Sequence, residues 1–227
     1  MHPLSFNVIQ ISKMIYLDFE GFINEAPSLV GYKIDGKFTQ LILDDDLSLI
    51  SEETDINFMD FEEFCHEIIA RSNKTKQPIV AWSANELSVF KEFQENINYC
   101  NLLHVAKKQI KKNKLLVKTH KEMPEYWVGQ RRTRTGRLNN NNNAFLKKRW
   151  DLVTILKLLD YPSLSTAYGK GKVTARLSAI KKGLNARGSY KRLTAVQKAK
   201  WTKLKQHNFV DVDGMDYIVQ KLDISLK

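Results

Sequence analysis

The chain is short of three things, and each shortage narrows what it can be. It has only two cysteines in 227 residues, Cys65 and Cys100, without metal-type spacing. That argues against a disulfide framework and against a thiolate zinc cluster. Two packed free thiols in a reducing, cytoplasmic setting are the expectation. No apolar run approaches the roughly 20 residues needed to span a bilayer. Met1 to Lys13 lacks the charged-then-apolar layout of a secretory signal, so no membrane partner is expected. No internal repeat is visible. The third shortage is local: residues 101–206 hold 27 Lys/Arg against 4 Asp/Glu.

What is present fits a folded protein. Hydrophobic content of 43% and aromatic content of 10% are ordinary for a globular chain. Its length suits a single domain over 1–227. The net charge of +11 is unevenly spread. Residues 1–100 carry 7 basic and 17 acidic side chains, a net of −10, while 101–227 carry 29 and 8, a net of +21. An acidic half suits cations and a basic half suits a polyanion, for which nucleic acid is the leading candidate.

Met14–Phe22 reads as a strand, Ser28–Ile34 as a second, and Phe38–Leu43 as a third, with Asp35-Gly36 a hairpin turn. The acids Asp44–Asp46 and Glu52–Asp55 read as a solvated loop. Phe58–Ser72 has a helical apolar stripe with Asp60 as its cap. Ile79–Trp82 reads as a buried parallel strand. Ser83 then opens a helix expected to run to about Asn98. The first half is thus β-β-β-α-β-α, an α/β mixed sheet flanked by helices. Beyond it, His104–Lys118 is a basic amphipathic segment. Arg131–Arg137 followed by Asn139–Asn143 reads as a mobile basic loop. Trp150–Leu159 is a short helix ending before Pro162. Tyr168–Arg192 suggests short helices joined by glycine turns. Thr194–Gln206 and the segment from Phe209 onward are expected as two separate helices.

The chemistry starts at Tyr16-Leu17-Asp18-Phe19-Glu20-Gly21. A strand's period of two puts Asp18 and Glu20 on one face, where they repel each other unless a cation intervenes. Hard oxygen ligands of this kind suit Mg²⁺ or Mn²⁺. Glu86 lies just past the second buried strand, where ligand groups gather in open α/β sheets. An ordinary acidic residue at a helix start explains it as well. In His207-Asn208-Phe209-Val210-Asp211, His207 and Asp211 are four apart and share a helical face. Neutral histidine is a suitable base near pH 7. Asp213 rivals Asp211, which the offset from His207 favours. Asp151 suits a helix N-terminus, with a supporting role at the site as the alternative.

These motifs resemble the DEDD exonucleases of the ribonuclease-H-like superfamily, from roughly Met14 to Leu222. The nearest likeness is to a branch of predicted nuclease domains also found fused to RecB-type nucleases. Its aromatic-Ser-x-x-Glu is matched by Trp82-Ser83-Ala84-Asn85-Glu86, and its Tyr-Asn-x-x-Asp by His207 to Asp211. An Asp-Leu pair, here Asp151-Leu152, also recurs there. Segments of about 101–149 and 165–206 match no motif of that branch and are expected as basic insertions.

The resemblance implies a metal-dependent nuclease on DNA or RNA, working 3′-to-5′ with two Mg²⁺ or Mn²⁺ ions. Asp18, Glu20, Asp211 and Glu86 would be ligands and His207 the base. Arg131, Arg132, Arg134, Arg137, Lys170, Lys172 and Arg176 would contact the nucleic acid. The alternative is a module that binds nucleic acid with little or no cleavage, inside a larger processing, repair or defence assembly of other proteins. A polyanion-binding structural protein is a third reading.

Overall fold

The computed structural model describes residues 14–22, 25–93, 97–123, 126–127, 146–147, 150–164 and 172–224. Its centre is strand β1, Ile15–Gly21, which pairs antiparallel with β2, Pro27–Ile34. β2 pairs antiparallel with β3, Lys37–Ile42, through a two-residue turn. Asp35 and Gly36 both take positive φ there, 50° and 79°, as a type I′ hairpin requires. On the other side of β1 lies β5, Ile79–Ala81, in parallel, followed by β6, Tyr99–Asn101. The short β4, Asn57–Phe58, closes the far edge, giving the order β4-β3-β2-β1-β5-β6. The fold is therefore α/β with a mixed six-stranded sheet, antiparallel then parallel, as the sequence pattern implies.

Strand alternation decides which helices cover which face. Ile15 and Leu17 point into a cluster with Phe64, Cys65, Ile68 and Ile69 of helix α2, Phe61–Thr75. Asp60 caps α2 by accepting from the Glu62 and Glu63 amides. Helix α3, Ala84–Ser88, covers the same face with Leu87. Tyr16 points the other way, into a cluster built from α4, Leu102–Lys112, α6, Leu152–Leu158, and α8, Ala195–Lys221. Asp18 and Glu20 share that second face, the one α8 crosses.

Four expectations are corrected. Thr194–Gln206 and the later segment form one helix, α8, of 27 residues, about 40 Å long. Nothing between Gln206 and Phe209 breaks it, and Thr194 starts it with a capping box answered by Gln197. The described part of Tyr168–Arg192 holds one helix, α7, Val173–Arg187, ended by Gly188 at φ 70°. Its Gly183 is interior, not a turn, because Gln197 and Leu193 pack where a Cβ would stand. The helix after Ser83 stops at Ser88 and tightens into a 3₁₀ turn over Val89–Glu92. The acidic loop is partly ordered as a 3₁₀ turn, Asp45–Leu47, and helix α1, Ser48–Ser51. Asp44 caps that turn, accepts from Ser28, and pairs with Lys181 at 2.6 Å.

The basic segment after Cys100 is two helices, α4 and α5, Lys114–Glu122, broken at Asn113, whose side chain caps the second. Tyr126–Trp127 and Leu146–Lys147, β7 and β8, form a separate two-stranded ladder. The Arg131–Arg137 loop and Lys170 lie outside the described residues. Region 165–206, expected as an insertion, contributes to the core: Leu177, Ile180, Leu184, Trp201 and Leu204 pack with Leu29 and Ile42 of the sheet. Cys65 is buried and Cys100 half-buried, both free thiols. Burial pushes the two up to about 12 and about 11, so neither is a reactive thiolate. Among the described residues no helix is long and apolar enough to cross a membrane.

Candidate metal centre

Asp18 and Glu20 stand near the end of β1, 8% and 6% exposed. Crossing above them, α8 brings His207 and Asp211, separated by one helical turn, onto the same spot. One ligand atom from each of Glu20, His207 and Asp211 falls within 4.8 Å of the others. The His207 Nε2 lies 3.7 Å from Glu20 Oε1 and 3.6 Å from Asp211 Oδ2. These gaps are too long for direct hydrogen bonds and suit a bridging group. Glu20 Oε1 is buried without a hydrogen-bond partner among the described residues.

The electrostatics describe a crowd of acids. Burial raises Asp18 well above the carboxylate range, and the charges of Glu20, Asp211 and Glu86 raise it further. Burial likewise raises Glu20, with Asp211 and Glu86 adding to it and Arg176 opposing. Asp211 is raised to about 7, mainly by burial and then by Glu86. His207 is lowered by burial and by the Arg176 charge, which keeps its imidazole neutral near pH 7.

Glu86 joins the others electrostatically while also serving its helix. Its Oε2 accepts from the Ser83 amide at 3.0 Å, completing the capping box that starts α3. It thus belongs both to the capping box of α3 and to the charges acting on Asp18, Glu20 and Asp211.

Asp151 caps α6, accepting from the Thr154 amide at 2.9 Å and its hydroxyl at 2.7 Å. Asp213 is not in the cluster. It pairs with Lys33 at 2.8 Å and accepts from the Tyr161 hydroxyl at 2.8 Å. Of the two, Asp211 is the one that lies beside Glu20 and His207.

Of the residues expected to contact nucleic acid, two are described. Lys172 is exposed at the start of α7. Arg176 differs from the expected surface contact: it is 5% exposed, and its charge acts inward on Glu20 and His207.

Asn208, within the His207–Asp211 motif, has no role that the sequence assigns, yet in the structure it is central. It is fully buried, and its amide donates to both the Asp18 carbonyl, at 2.9 Å, and the Asp18 Oδ2, at 3.0 Å. Its own Oδ1 accepts from Gln40, which also donates to the Lys205 carbonyl. The arrangement needs Gly31 on β2, where a Cβ would stand 2.0 Å from Asn208 Oδ1. Two sequence signals point this way: an isolated glycine inside a strand pattern, and an asparagine on the helix stripe of Leu204 and Val212.

Glu20, Asp211 and a neutral His207 meet at this centre, with Asp18 beside Glu20 on the same sheet face and held by Asn208, and with the Glu86 charge acting on them from the start of α3. Comparison with family models, with curated proteins and with solved structures returns no match.

Proposed function

We propose that the protein is a metal-dependent nuclease hydrolysing phosphodiester bonds of DNA or RNA, with the ribonuclease-H-like fold and the 3′-to-5′ direction that its motifs imply. The observation that carries this reading is the meeting of Glu20, His207 and Asp211 around one point, beside Asp18, with a buried Glu20 oxygen that has no hydrogen-bond donor among the described residues. Buried like charges are costly, and a divalent cation with oxygen preference relieves them. The strand order agrees: three antiparallel strands, then parallel ones, with the acids on the central strand.

Asp18, Glu20 and Asp211 would hold Mg²⁺ or Mn²⁺, with Glu86 acting directly or through water. Two such ions, when bound, would supply a nucleophilic water at neutral pH and stabilise the departing 3′-oxygen. His207, kept neutral by burial and Arg176, would take the proton of the attacking water at Nε2. Asn208 would fix the Asp18 carboxylate in one orientation. Lys172 at the start of α7, and Arg131, Arg132, Arg134, Arg137 and Lys170 outside the described residues, would hold phosphates in a salt-sensitive way.

Labelled single- and double-stranded DNA and RNA, incubated with Mg²⁺, Mn²⁺ or EDTA, test this. Metal-dependent ladders shortening from the 3′ end are expected. Intact substrates under every metal condition would leave a binding module in place of an enzyme.

A further inference from the structure

A second concave surface lies on the β6 edge of the sheet, between that strand and α4. It encloses about 620 Å³ and is lined by Lys76, Tyr99, His104, Lys108, Gln109 and Lys112 among others. Among the described residues no carboxylate lines it. A second hollow of about 490 Å³ shares Gln109 and Lys112 with it and adds Lys221, with Asp223 its one acid among the described residues. The two hollows adjoin at Gln109 and Lys112, and the first is a groove between β6 and α4. His104, Lys108 and Lys112 recur every fourth residue, which sets three polar, mostly cationic tips in a row over about 12 Å.

The groove is distinct from the acidic centre. Pro78, Asn98 and Tyr99 in its wall stand at the starts of β5 and β6, level with Ile15. Asp18 and Glu20 come three and five residues further along the central strand, about 10–16 Å away in that direction alone. Nothing in the acidic centre depends on these lysines, and they neutralise no buried acid there.

We propose that this groove binds single-stranded nucleic acid. A row of cations tracking a backbone, with an aromatic face beside it, is the design of non-sequence-specific single-strand sites. Tyr99 supplies the face: it is 48% exposed. Gln109, with Asn98 and Asn101, offers both donors and acceptors, which suit base edges better than an acidic peptide's carboxylates. The inference shares with the proposed function only the class of polymer. It does not require cleavage, and a strand anchored here would be held away from the acids while another part of it reaches them.

The test is binding in EDTA, so that hydrolysis plays no part. The probe is a labelled oligothymidylate about 20 nucleotides long, more than one groove can cover. The triple variant Lys76→Glu/Lys108→Glu/Lys112→Glu is compared with Lys182→Glu/Arg187→Glu/Lys203→Glu, an equal charge change on exposed positions of α7 and α8. All six side chains are exposed, so folding is preserved. The groove triple should weaken binding by about tenfold or more. It should also reduce the salt slope by about 2, the value for three lost single-strand contacts. Tyr99→Ala should weaken binding with the slope unchanged, because stacking releases no counterions. Equal losses from the two triples, an unchanged Tyr99→Ala, or equally tight binding of oligoglutamate would each overturn the proposal. A protein that binds this way and cuts nothing would refute the nuclease reading alone.

Discussion

Helix α8 carries two acidic sites a turn apart, and they have opposite fates. Asp213 and Asp216 meet Lys33, at 2.8 and 2.6 Å, and also accept from Tyr161 and Gln220. Asp211 meets Glu20, Asp18, Glu86 and a neutral histidine. Residue type and helix are the same, and Asp211 and Asp216 are covered to a similar depth. What separates them is whether the chain brings its own counter-charge. At the first site it does, and Lys33 is held firmly charged by its two partners. At the second, among the described residues, the cation acting on Glu20 is Arg176, which lowers that carboxyl without overcoming burial. A fold can satisfy buried acids internally, as β2 does for Asp213 and Asp216. Where it instead leaves them facing one another, with Asn208 spent on orienting one of them, the missing charge is expected from outside.

The sharpest way to break this contrast is to neutralise one acid on each side of it. Asp18→Asn or Asp211→Asn should reduce cleavage to background while binding of nucleic acid persists, since each removes a charge that would hold the metal. Asp213→Asn should leave cleavage within a few-fold of the parent, because its carboxylate is already engaged by Lys33 and Tyr161. Product ladders from the three proteins decide it, and equal loss from Asp211→Asn and Asp213→Asn would erase the distinction. Next in size is His207→Ala, expected to slow cleavage by about 10²–10⁴ with little change in substrate affinity. Single-turnover rates at saturating protein measure this directly, and a few-fold loss would reduce the imidazole to a spacer between Glu20 and Asp211.

Much of this was readable from residue patterns, and the rest was hidden for definite reasons. Period-two alternation placed Asp18 and Glu20 together, and the Asp35-Gly36 turn fixed the register of β2 against β3. A four-residue offset placed His207 with Asp211. What failed was continuity. Lys205, Gln206, His207 and Asn208 form a polar stretch that resembles a break between two helices, yet α8 runs straight through it. The polar run is helical because it faces the site: Asn208 and the Lys205 carbonyl bond to groups on the sheet. Local pattern cannot distinguish a polar loop from a polar face turned inward. The same blindness put Arg176 on the surface, because a lone arginine among lysines and glycines carries no mark of burial.

A smaller effect tests the satisfied side. Lys33→Met should destabilise the fold by about 2–3 kcal/mol, less than a fully buried pair would give, because Asp213 keeps contact with solvent and Tyr161. Chemical unfolding midpoints measure it. Adding Asp213→Asn in the same chain should recover part of the loss, as one of the two stranded acids is then removed. No recovery would mean that Lys33 acts by packing its stem, and the two sites would not be a matched pair after all.

The finest effect is a dependence of stability on pH and metal. In the folded chain Asp211 holds its proton up to about 7, against 3.8 as its ordinary value, and Asp18 and Glu20 are raised in the same direction. Between those two values the folded state binds more protons than the unfolded chain, so unfolding free energy falls as pH rises. In EDTA the protein should therefore be most stable near pH 4 to 5. It should lose stability progressively up to pH 7 and beyond, the reverse of the usual acid denaturation. Saturating Mn²⁺ should flatten or invert that slope, since the cation binds the ionised carboxylates and only the folded state presents them together. Lys33 contributes nothing in this window, because its raised pKa moves its own loss of stabilisation to strongly alkaline pH. Thermal melts from pH 5 to 8, with EDTA and with Mn²⁺, separate the two sites in one experiment: Asp211→Asn should shrink the slope in EDTA, whereas Lys33→Met, which strands Asp213 and Asp216, should lower the melts most at high pH and leave the response to Mn²⁺ in place. A slope that ignores Mn²⁺ would mean the acids are crowded for no cation, and the contrast along α8 would lose its functional meaning.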